Sequence, residues 1–288
     1  MKLIARILLA AFAYVLGVVI TGMIAPALHI PQMRGPVEMN PSIMMVALLL
    51  SAPLLTAACF PLAQGMRGTW TQRFLSLALL LFTTIGLNTM IEAKVFSDMV
   101  PGSAFGAALN SLLPCLFAAA VLTPRGIRTD PDVLGHFPVL GWSWRLLLAW
   151  AAFPVCYWLF GMCVAPFVLR YYESGTLGIH VPPPLVILQT QWLRSALFLA
   201  ASFPGIVLWR KSRWQFIFAM GLAHAFAVGV FQLAAATFFP VALRIAHSVE
   251  IMADSFAYAA VLGFLFIATR SEARGSRAAP VTAAGKVA

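Results

Sequence analysis

Charged residues are scarce in this chain, and their scarcity excludes an ordinary soluble domain. Asp, Glu, Lys and Arg make up 10% of the 288 residues, whereas hydrophobic residues make up 61%. Soluble globular proteins carry about 25% charged residues. The composition is that of a chain embedded in a lipid bilayer for most of its length, so we expect an integral membrane protein.

Cysteine is also rare, and the sequence lacks the common catalytic motifs. Cys59, Cys115, Cys156 and Cys163 lie inside apolar runs, without the close spacing of zinc ligands or redox pairs. We interpret them as small buried hydrophobic residues. The chain has no phosphate-binding glycine loop, no HExxH helix and no nucleophile elbow. No established motif therefore assigns a reaction.

Acidic residues are outnumbered by basic residues, 9 against 19, which gives a formal net charge of +10. A basic chain suits nucleic acid when its cations form a patch. Here they are scattered through short segments between apolar runs. We therefore predict no nucleic-acid partner and expect the lipid bilayer to be the main partner.

Long apolar segments are what the chain has in abundance. A helix needs about 20 apolar residues to cross a bilayer. The first segment is longer than the apolar core of a signal peptide, so we interpret it as a spanning helix. The segments predict an all-α fold with about eight transmembrane helices, at 5–27, 43–64, 74–97, 104–123, 145–168, 187–209, 215–238 and 245–269.

The distribution of Lys and Arg predicts the orientation of these helices. Cytoplasmic loops are enriched in both residues. With the N-terminus inside, almost all Lys and Arg fall on the inner side. The exceptions are Arg194 within the sixth segment and four residues on the outer side, Arg34, Lys94, Arg170 and Arg244. We expect both termini in the cytoplasm and the chain in the plasma membrane, which in bacteria is the inner membrane.

Two stretches of the chain resemble each other. Residues 6–23, RILLAAFAYVLGVVITGM, align without gaps with residues 145–162, RLLLAWAAFPVCYWLFGM. Further matches are Phe60-Pro61 with Phe203-Pro204 and Arg67 with Arg210. We predict a tandem repeat of two four-helix units that insert in the same direction. The predicted parts are a first unit at 1–123, a cytoplasmic linker at 124–144, a second unit at 145–270 and a disordered cytoplasmic tail at 271–288.

Polar side chains interrupt the apolar segments at one predicted depth. Ionisable residues in spanning helices are costly, and they usually face a protein interior or a water-filled cavity. On helices that turn about 100° per residue, those of the third and eighth segments each fall on one face. The sixth and seventh segments add polar residues at a similar depth. The predicted pocket consists of Asn88, Glu92, Gln191, Arg194, Gln232, Arg244, His247, Glu250 and Asp254.

The leading functional hypothesis is a protein that binds or transports a small solute through an outward-facing pocket. Arg194 and Arg244 would hold an anionic solute or a lipid headgroup. Glu92, His247, Glu250 and Asp254 would bind protons or a cation, so the solute is expected to be either a small anion or one whose transport is coupled to protons. An unpaired charge is costly in a medium of low dielectric constant, so Arg194 is expected to pair with a carboxylate.

Three alternatives stay open. The chain is compatible with a membrane-embedded enzyme that acts on a lipid or lipid-linked substrate at the outer interface, with a carboxylate or His247 as the general base. Glu92, His247 and Glu250 carry side chains of the kind that bind Zn, Mn or Fe, so the enzyme hypothesis stays open both with a divalent metal at these residues and without one. No other cofactor is predicted. The third reading is a non-catalytic scaffold, in which the charges only fix the packing of the helices.

Overall fold

Eight helices in the structure are long and apolar enough to cross a membrane. The computed structural model describes residues 3–34, 40–126, 138–175 and 177–267. These ranges contain α-, π- and 3₁₀-helices but no β-strand. The spanning helices are α1 Leu3–Ile24, α2 Pro41–Gly65, α3 Trp70–Phe96, α4 Ala104–Leu122, α5 Val139–Glu173, α6 Pro184–Leu208, α7 Arg213–Ala235 and α8 Val241–Phe266. The prediction of an all-helical, multi-pass membrane protein is confirmed. The centre of the predicted linker, 127–137, and the predicted tail, 271–288, lie outside the described residues.

The connections between the helices alternate between two ends of the bundle. We call the end that carries residues 25–34, 97–103, 177–183 and 236–240 the upper end. The lower end carries residues 66–69, 123–126 and 209–212. An isolated bridge joins Ser97 with Ile179 at the upper end, and another joins Met66 with Trp209 at the lower end. Both bridges join a connection of the first four helices to one of the last four.

Two helices contain a π-helical segment in the middle. In α3 the order is α-helical Trp70–Leu81, π-helical Phe82–Asn88 and α-helical Thr89–Phe96. In α7 the order is α-helical Arg213–Ala225, π-helical Phe226–Val230 and α-helical Phe231–Ala235. π-Helical turns are rare in proteins, and those that do occur often lie at functional sites. They place an unusual backbone in the third helix of each group of four.

The same two helices, α3 and α7, each begin with a capping box. Thr69 precedes α3 and Ser212 precedes α7, and each hydroxyl accepts a hydrogen bond from the backbone N–H three residues later. The residues at that position, Gln72 and Gln215, accept in turn from the backbone of the capping residue. Such a capping box satisfies two backbone donors that the first turn would leave unpaired. It therefore fixes where α3 and α7 begin.

Small residues bring helices into close contact, as Gly17 and Gly65 illustrate. A Cβ atom added to Gly17 would lie 2.6 Å from the Cα atom of Pro114, so α1 and α4 meet backbone to backbone. At the lower end, a Cβ atom on Gly65 would overlap the indole ring of Trp209. Small residues at such contacts are typical of membrane helices, because they allow backbones to approach. The second contact joins α2 to α6.

The outer surface of the bundle is apolar as well as its interior. Phe12, Leu50, Phe218 and Val249 are large hydrophobic residues with exposed side chains. Soluble monomers rarely expose large contiguous apolar areas, so this surface suits contact with lipid.

Among the cysteines, Cys59 and Cys115 are buried, but Cys163 is exposed. The prediction that all cysteines are buried is wrong for Cys163, because its apolar helix faces outward there.

Candidate functional site

A cavity of about 470 Å³ lies between the helices and reaches the upper end. Met99, Ile179 and Phe239 line it at that end. Its walls come mainly from α3 and from α5 to α8, with contributions from α1 and α2. Apolar and aromatic side chains form most of the walls, and a group of ionisable side chains interrupts them. The cavity is therefore amphipathic and has contributions from both groups of four helices.

An ion pair connects α3 with α6 at the cavity wall. Arg194 Nη2 donates to Glu92 Oε2 at 2.8 Å, and the side chains are 2% and 33% exposed. Arg194 Nη1 donates to Gln191 Oε1 at 3.0 Å. The predicted pairing of Arg194 with a carboxylate is present. Because the guanidinium group is buried, its charge depends on Glu92 for compensation.

A chain of three hydrogen-bonded side chains lies on another part of the wall. His247 Nδ1 is 2.7 Å from Glu250 Oε2, and His247 Nε2 is 3.0 Å from the hydroxyl of Tyr172. A carboxylate at one ring nitrogen determines which tautomer the imidazole adopts. Nδ1–H then donates to Glu250, so that Nε2 faces Tyr172. This arrangement can accept a proton from a hydroxyl group or return one to it.

Two polar groups of α8 line the cavity without a partner. Asp254 Oδ1 and the hydroxyl of Tyr258 are buried and have no hydrogen-bond partner among the described residues. The two residues are four positions apart and therefore share one face of the helix. Buried polar groups are nearly always paired, so two such groups beside one cavity are an exception that needs a cause.

His224 of α7 lines the same cavity and was missed as a site residue by sequence reasoning. Its Nε2 atom is 2.9 Å from the hydroxyl oxygen of Ser202. Its ring stacks on that of Tyr258, with the centroids 6.0 Å apart. The sequence shows His224 as a single polar residue in an apolar run, which gives no signal for a site. Only the packing of α7 against α8 brings it to the cavity.

Gln232 connects the π-helical segments of α3 and α7. Its Nε2 atom donates to the carbonyl oxygen of Ile85 at 3.0 Å and to Thr89 Oγ1 at 3.1 Å. The hydroxyl of Thr89 shares its proton between two carbonyl oxygens, that of Thr84 in its own helix at 3.0 Å and that of Val228 in α7 at 3.3 Å. Each π segment thus provides a carbonyl group to a side chain of the opposite helix.

The structure places the predicted pocket residues in two groups. The members that line the cavity are Glu92, Arg194, Gln232, His247, Glu250 and Asp254. Gln191 lies behind Arg194, and Asn88 is fully buried, with both polar side-chain atoms unpaired within the described part of the chain. Arg244 is not in the lining, and its Nη1 atom donates to the carbonyl oxygen of Ala234 at 3.4 Å. The predicted sharing of one anion by Arg194 and Arg244 finds no support in this geometry.

Metal binding at Glu92, His247 and Glu250 stays a prediction. Within residues 3–34, 40–126, 138–175 and 177–267, no three His, Cys, Asp or Glu residues form a group that could hold a metal ion. The Glu92 carboxylate instead pairs with Arg194 across the cavity wall. We derive no chemistry through a metal.

No protein-family model, curated protein or solved structure matches this chain. Fold and function are therefore argued from the residues themselves. The feature that carries most chemical information is the amphipathic cavity, since it combines apolar walls with ionisable groups that are partly uncompensated.

Proposed function

We propose that this protein binds an amphipathic small molecule in the cavity and carries it across the membrane together with protons. The observation that carries the proposal is a cavity of about 470 Å³ with apolar walls and a few ionisable groups. Sites for small molecules are commonly about 300–1,000 Å³ and have this mixture of apolar lining and few polar groups. The volume suits a solute of drug-like size.

Charge balance supports coupling to protons. The cavity contains the carboxylates of Glu92, Glu250 and Asp254. Its basic groups are the guanidinium group of Arg194 and the imidazoles of His224 and His247. Uncompensated charge is costly inside a membrane protein. The group becomes neutral when it takes up protons or a cationic group of the solute. Binding of the solute and binding of protons therefore depend on each other, as coupled transport requires.

We also infer that the two groups of four helices are a tandem repeat with a common direction of insertion. Thr89 and Gln232 are 143 residues apart, and each donates to a carbonyl group of the other helix, at Val228 and Ile85. The two carbonyl groups, of Ile85 and Val228, are also 143 residues apart. The same is true of the two capping residues, Thr69 and Ser212. A pair of helices related by a two-fold axis along the membrane normal produces such reciprocal contacts.

This symmetry gives transport a mechanism. Repeats that meet at an axis along the membrane normal can rock against each other and expose a central site to one side at a time. The cavity lies at the boundary between the repeats, since the ion pair joins Glu92 of the first to Arg194 of the second. At the lower end, Met66 and Trp209 hold the repeats together. The described geometry is then the state open at the upper end.

We propose that the upper end faces the outside and that both termini are cytoplasmic, in a plasma or bacterial inner membrane. The lower connections contain Arg67, Arg125, Arg210 and Lys211. Cytoplasmic loops are enriched in such residues, which supports this orientation.

A second candidate function is an enzyme that acts on a lipid-linked substrate at the outer interface. The observation that favours it is the chain of Glu250, His247 and Tyr172. An imidazole oriented by a carboxylate is a suitable general base for a hydroxyl group. Replacement of His247 by Gln separates the two functions: an enzyme loses turnover with little change in substrate affinity, whereas a carrier loses proton-coupled uptake.

Cysteine labelling in intact cells tests the proposed orientation and opening. Ala93 lines the cavity, and Lys211 is exposed in a lower connection. In a background that lacks Cys156 and Cys163, we expect Ala93→Cys to react with a membrane-impermeant methanethiosulfonate reagent added outside. The matched variant Lys211→Cys should react only after the cells are permeabilised. The opposite pattern would overturn the orientation, and an Ala93→Cys protein that reacts in neither case would refute the open cavity.

A further inference from the structure

We propose that the cavity binds a protonated amine with an apolar body, and that Asp254 and Tyr258 hold its ammonium group. The inference rests on the proposed function, because it names the chemical class of the solute. Neither residue has another partner: Asp254 Oδ1 and the Tyr258 hydroxyl are both unpaired within the described part of the chain.

The two unpaired groups select for a hydrogen-bond donor. A carboxylate is an acceptor only, a phenolic oxygen accepts as well as donates, and an ammonium group offers donors and no acceptor. Tyr258 is 1% exposed, so water outside the protein does not satisfy its hydroxyl. An ammonium group in this part of the cavity would donate to both oxygens at once. A carboxylate or phosphate group there would face the charge of Asp254 instead.

The remaining charges leave one positive charge to be supplied. Arg194 uses both terminal nitrogens, on Glu92 and Gln191. His247 lies between Glu250 and Tyr172. When His247 is protonated on both ring nitrogens, it compensates Glu250, and the carboxylate of Asp254 is the one in the cavity that lacks a cation. A monovalent cation balances it, and this is the charge that a protonated amine carries.

The walls suit the apolar body of such a molecule. The ring of Phe153 lies 5.5 Å from that of Tyr258 in an edge-to-face arrangement, and 4.6 Å from that of Phe198. Aromatic faces attract cations, and the attraction grows where water is excluded. Met44 and Met90 also line the cavity. Methionine is flexible and polarizable, so it adapts to apolar groups of different shape.

Three probes with the same rigid body test the class. 1-Adamantylamine, 1-adamantanol and 1-adamantanecarboxylate present a cation, a neutral hydroxyl group and an anion on one apolar cage. Binding to the purified full chain in lipid nanodiscs is measured by titration calorimetry, with empty nanodiscs as the partition control. We expect the amine to bind at least about tenfold more tightly than either of the others, the ratio expected for one charge-assisted hydrogen-bonded contact.

Variants assign the effect to the two residues. We expect Asp254→Asn to weaken amine binding about tenfold or more and to remove the preference over the alcohol. Tyr258→Phe removes one acceptor and should weaken it about threefold to tenfold. The matched control is Asp98→Asn, because Asp98 is an exposed carboxylate at the upper end that does not line the cavity. It should leave the affinity unchanged.

Several results would overturn the amine class. These are tighter binding of the carboxylate than of the amine, unchanged amine affinity in Asp254→Asn, or no binding of any probe to the wild-type protein. If Asp254→Asn does not fold, Tyr258→Phe and the ranking of the probes on the wild-type protein decide. The cysteine labelling separates the two proposals, since a cavity that opens outward but prefers the anion keeps the proposed function and loses only this class.

Discussion

Removal of Glu92 should destabilise the protein more than removal of its partner Arg194. The reason is the difference in burial, 33% exposure for the Glu92 side chain against 2% for Arg194. In Glu92→Leu a buried guanidinium group keeps only Gln191 as an acceptor. Loss of one partner of a buried ion pair costs about 3–5 kcal/mol. Because Glu92 is one-third exposed, we expect a loss of unfolding free energy at or slightly below the minimum of this range, about 2–3 kcal/mol.

In Arg194→Met the remaining charge is the carboxylate of Glu92, which water can reach from the cavity. The methionine also fills part of the space between the rings of Phe153 and Phe198, which surround the guanidinium group. We therefore expect a smaller loss, about 1 kcal/mol, the usual size for one hydrogen bond. The double variant removes both charges. Replacing a whole buried pair by apolar residues is often neutral or stabilising, so it should lie near the wild type.

Equilibrium unfolding by sodium dodecyl sulfate in mixed micelles, followed by tryptophan fluorescence, measures these free energies. The matched control is Glu173→Gln, an exposed carboxylate at the end of α5, which should change stability by less than about 0.5 kcal/mol. If the single variants lose equal free energy and the double variant loses their sum, the two side chains are not coupled. The reasoning from burial would then be refuted.

Three further predictions concern the contacts between and within the two groups of four helices. Thr69→Ala and Ser212→Ala each remove a helix cap, and each should cost about 1 kcal/mol in the same unfolding assay; a large difference would contradict their equivalence. Gln232→Leu leaves the Ile85 carbonyl and the Thr89 hydroxyl without this donor and should cost about 1–3 kcal/mol. Gly65→Val should destabilise by about 1–3 kcal/mol through overlap with Trp209, and Trp209→Leu in the same protein should recover part of it.

The number of spanning helices could be predicted from the sequence, because hydropathy depends on the residues alone. The lengths of the helices were harder to predict. The sequence predicted a segment at 145–168, whereas α5 extends over Val139–Glu173, about 52 Å at 1.5 Å per residue. This is longer than the apolar core of a bilayer, about 30 Å. The amphipathic residues of the last turns, Tyr171 and Tyr172 among them, continue the helix without raising its hydropathy. The hydrogen bond from Tyr172 to His247 was therefore not foreseen.

The faces of the helices were predicted less well than their positions. Asn88 and Glu92 were assigned to one face by assuming regular α-helical turns. Asn88, however, lies in the π-helical segment Phe82–Asn88. A π-helical turn contains an extra residue, so residues on its two sides no longer follow the regular rotation. Glu92 faces the cavity, whereas Asn88 is fully buried elsewhere. No hydropathy pattern marks such an insertion.

Arg244 shows a different limit. Its angle on an ideal helix agrees with that of His247, Glu250 and Asp254. It lies, however, in the first turn of α8, whose N-cap is Pro240. A long side chain at a helix end can reach past its own helix to the end of a neighbouring one, and here it donates to the carbonyl group of Ala234 in α7. Helical angles predict a face but not the direction that a flexible side chain takes.

The proposed repeat bears on whether the charges only hold the helices together. With the 143-residue spacing of Thr89 and Gln232, Glu92 corresponds to Ala235 and Arg194 to Ser51. The equivalent contact is then the one between α2 and α7, where Ser51 and Ala234 line an apolar groove. None of the described residues that line this groove is charged, so on the proposed repeat the packing there needs no ion pair. The charges of α3, α6 and α8 would then distinguish one of two equivalent places, which the proposed single binding site explains and a purely structural role does not.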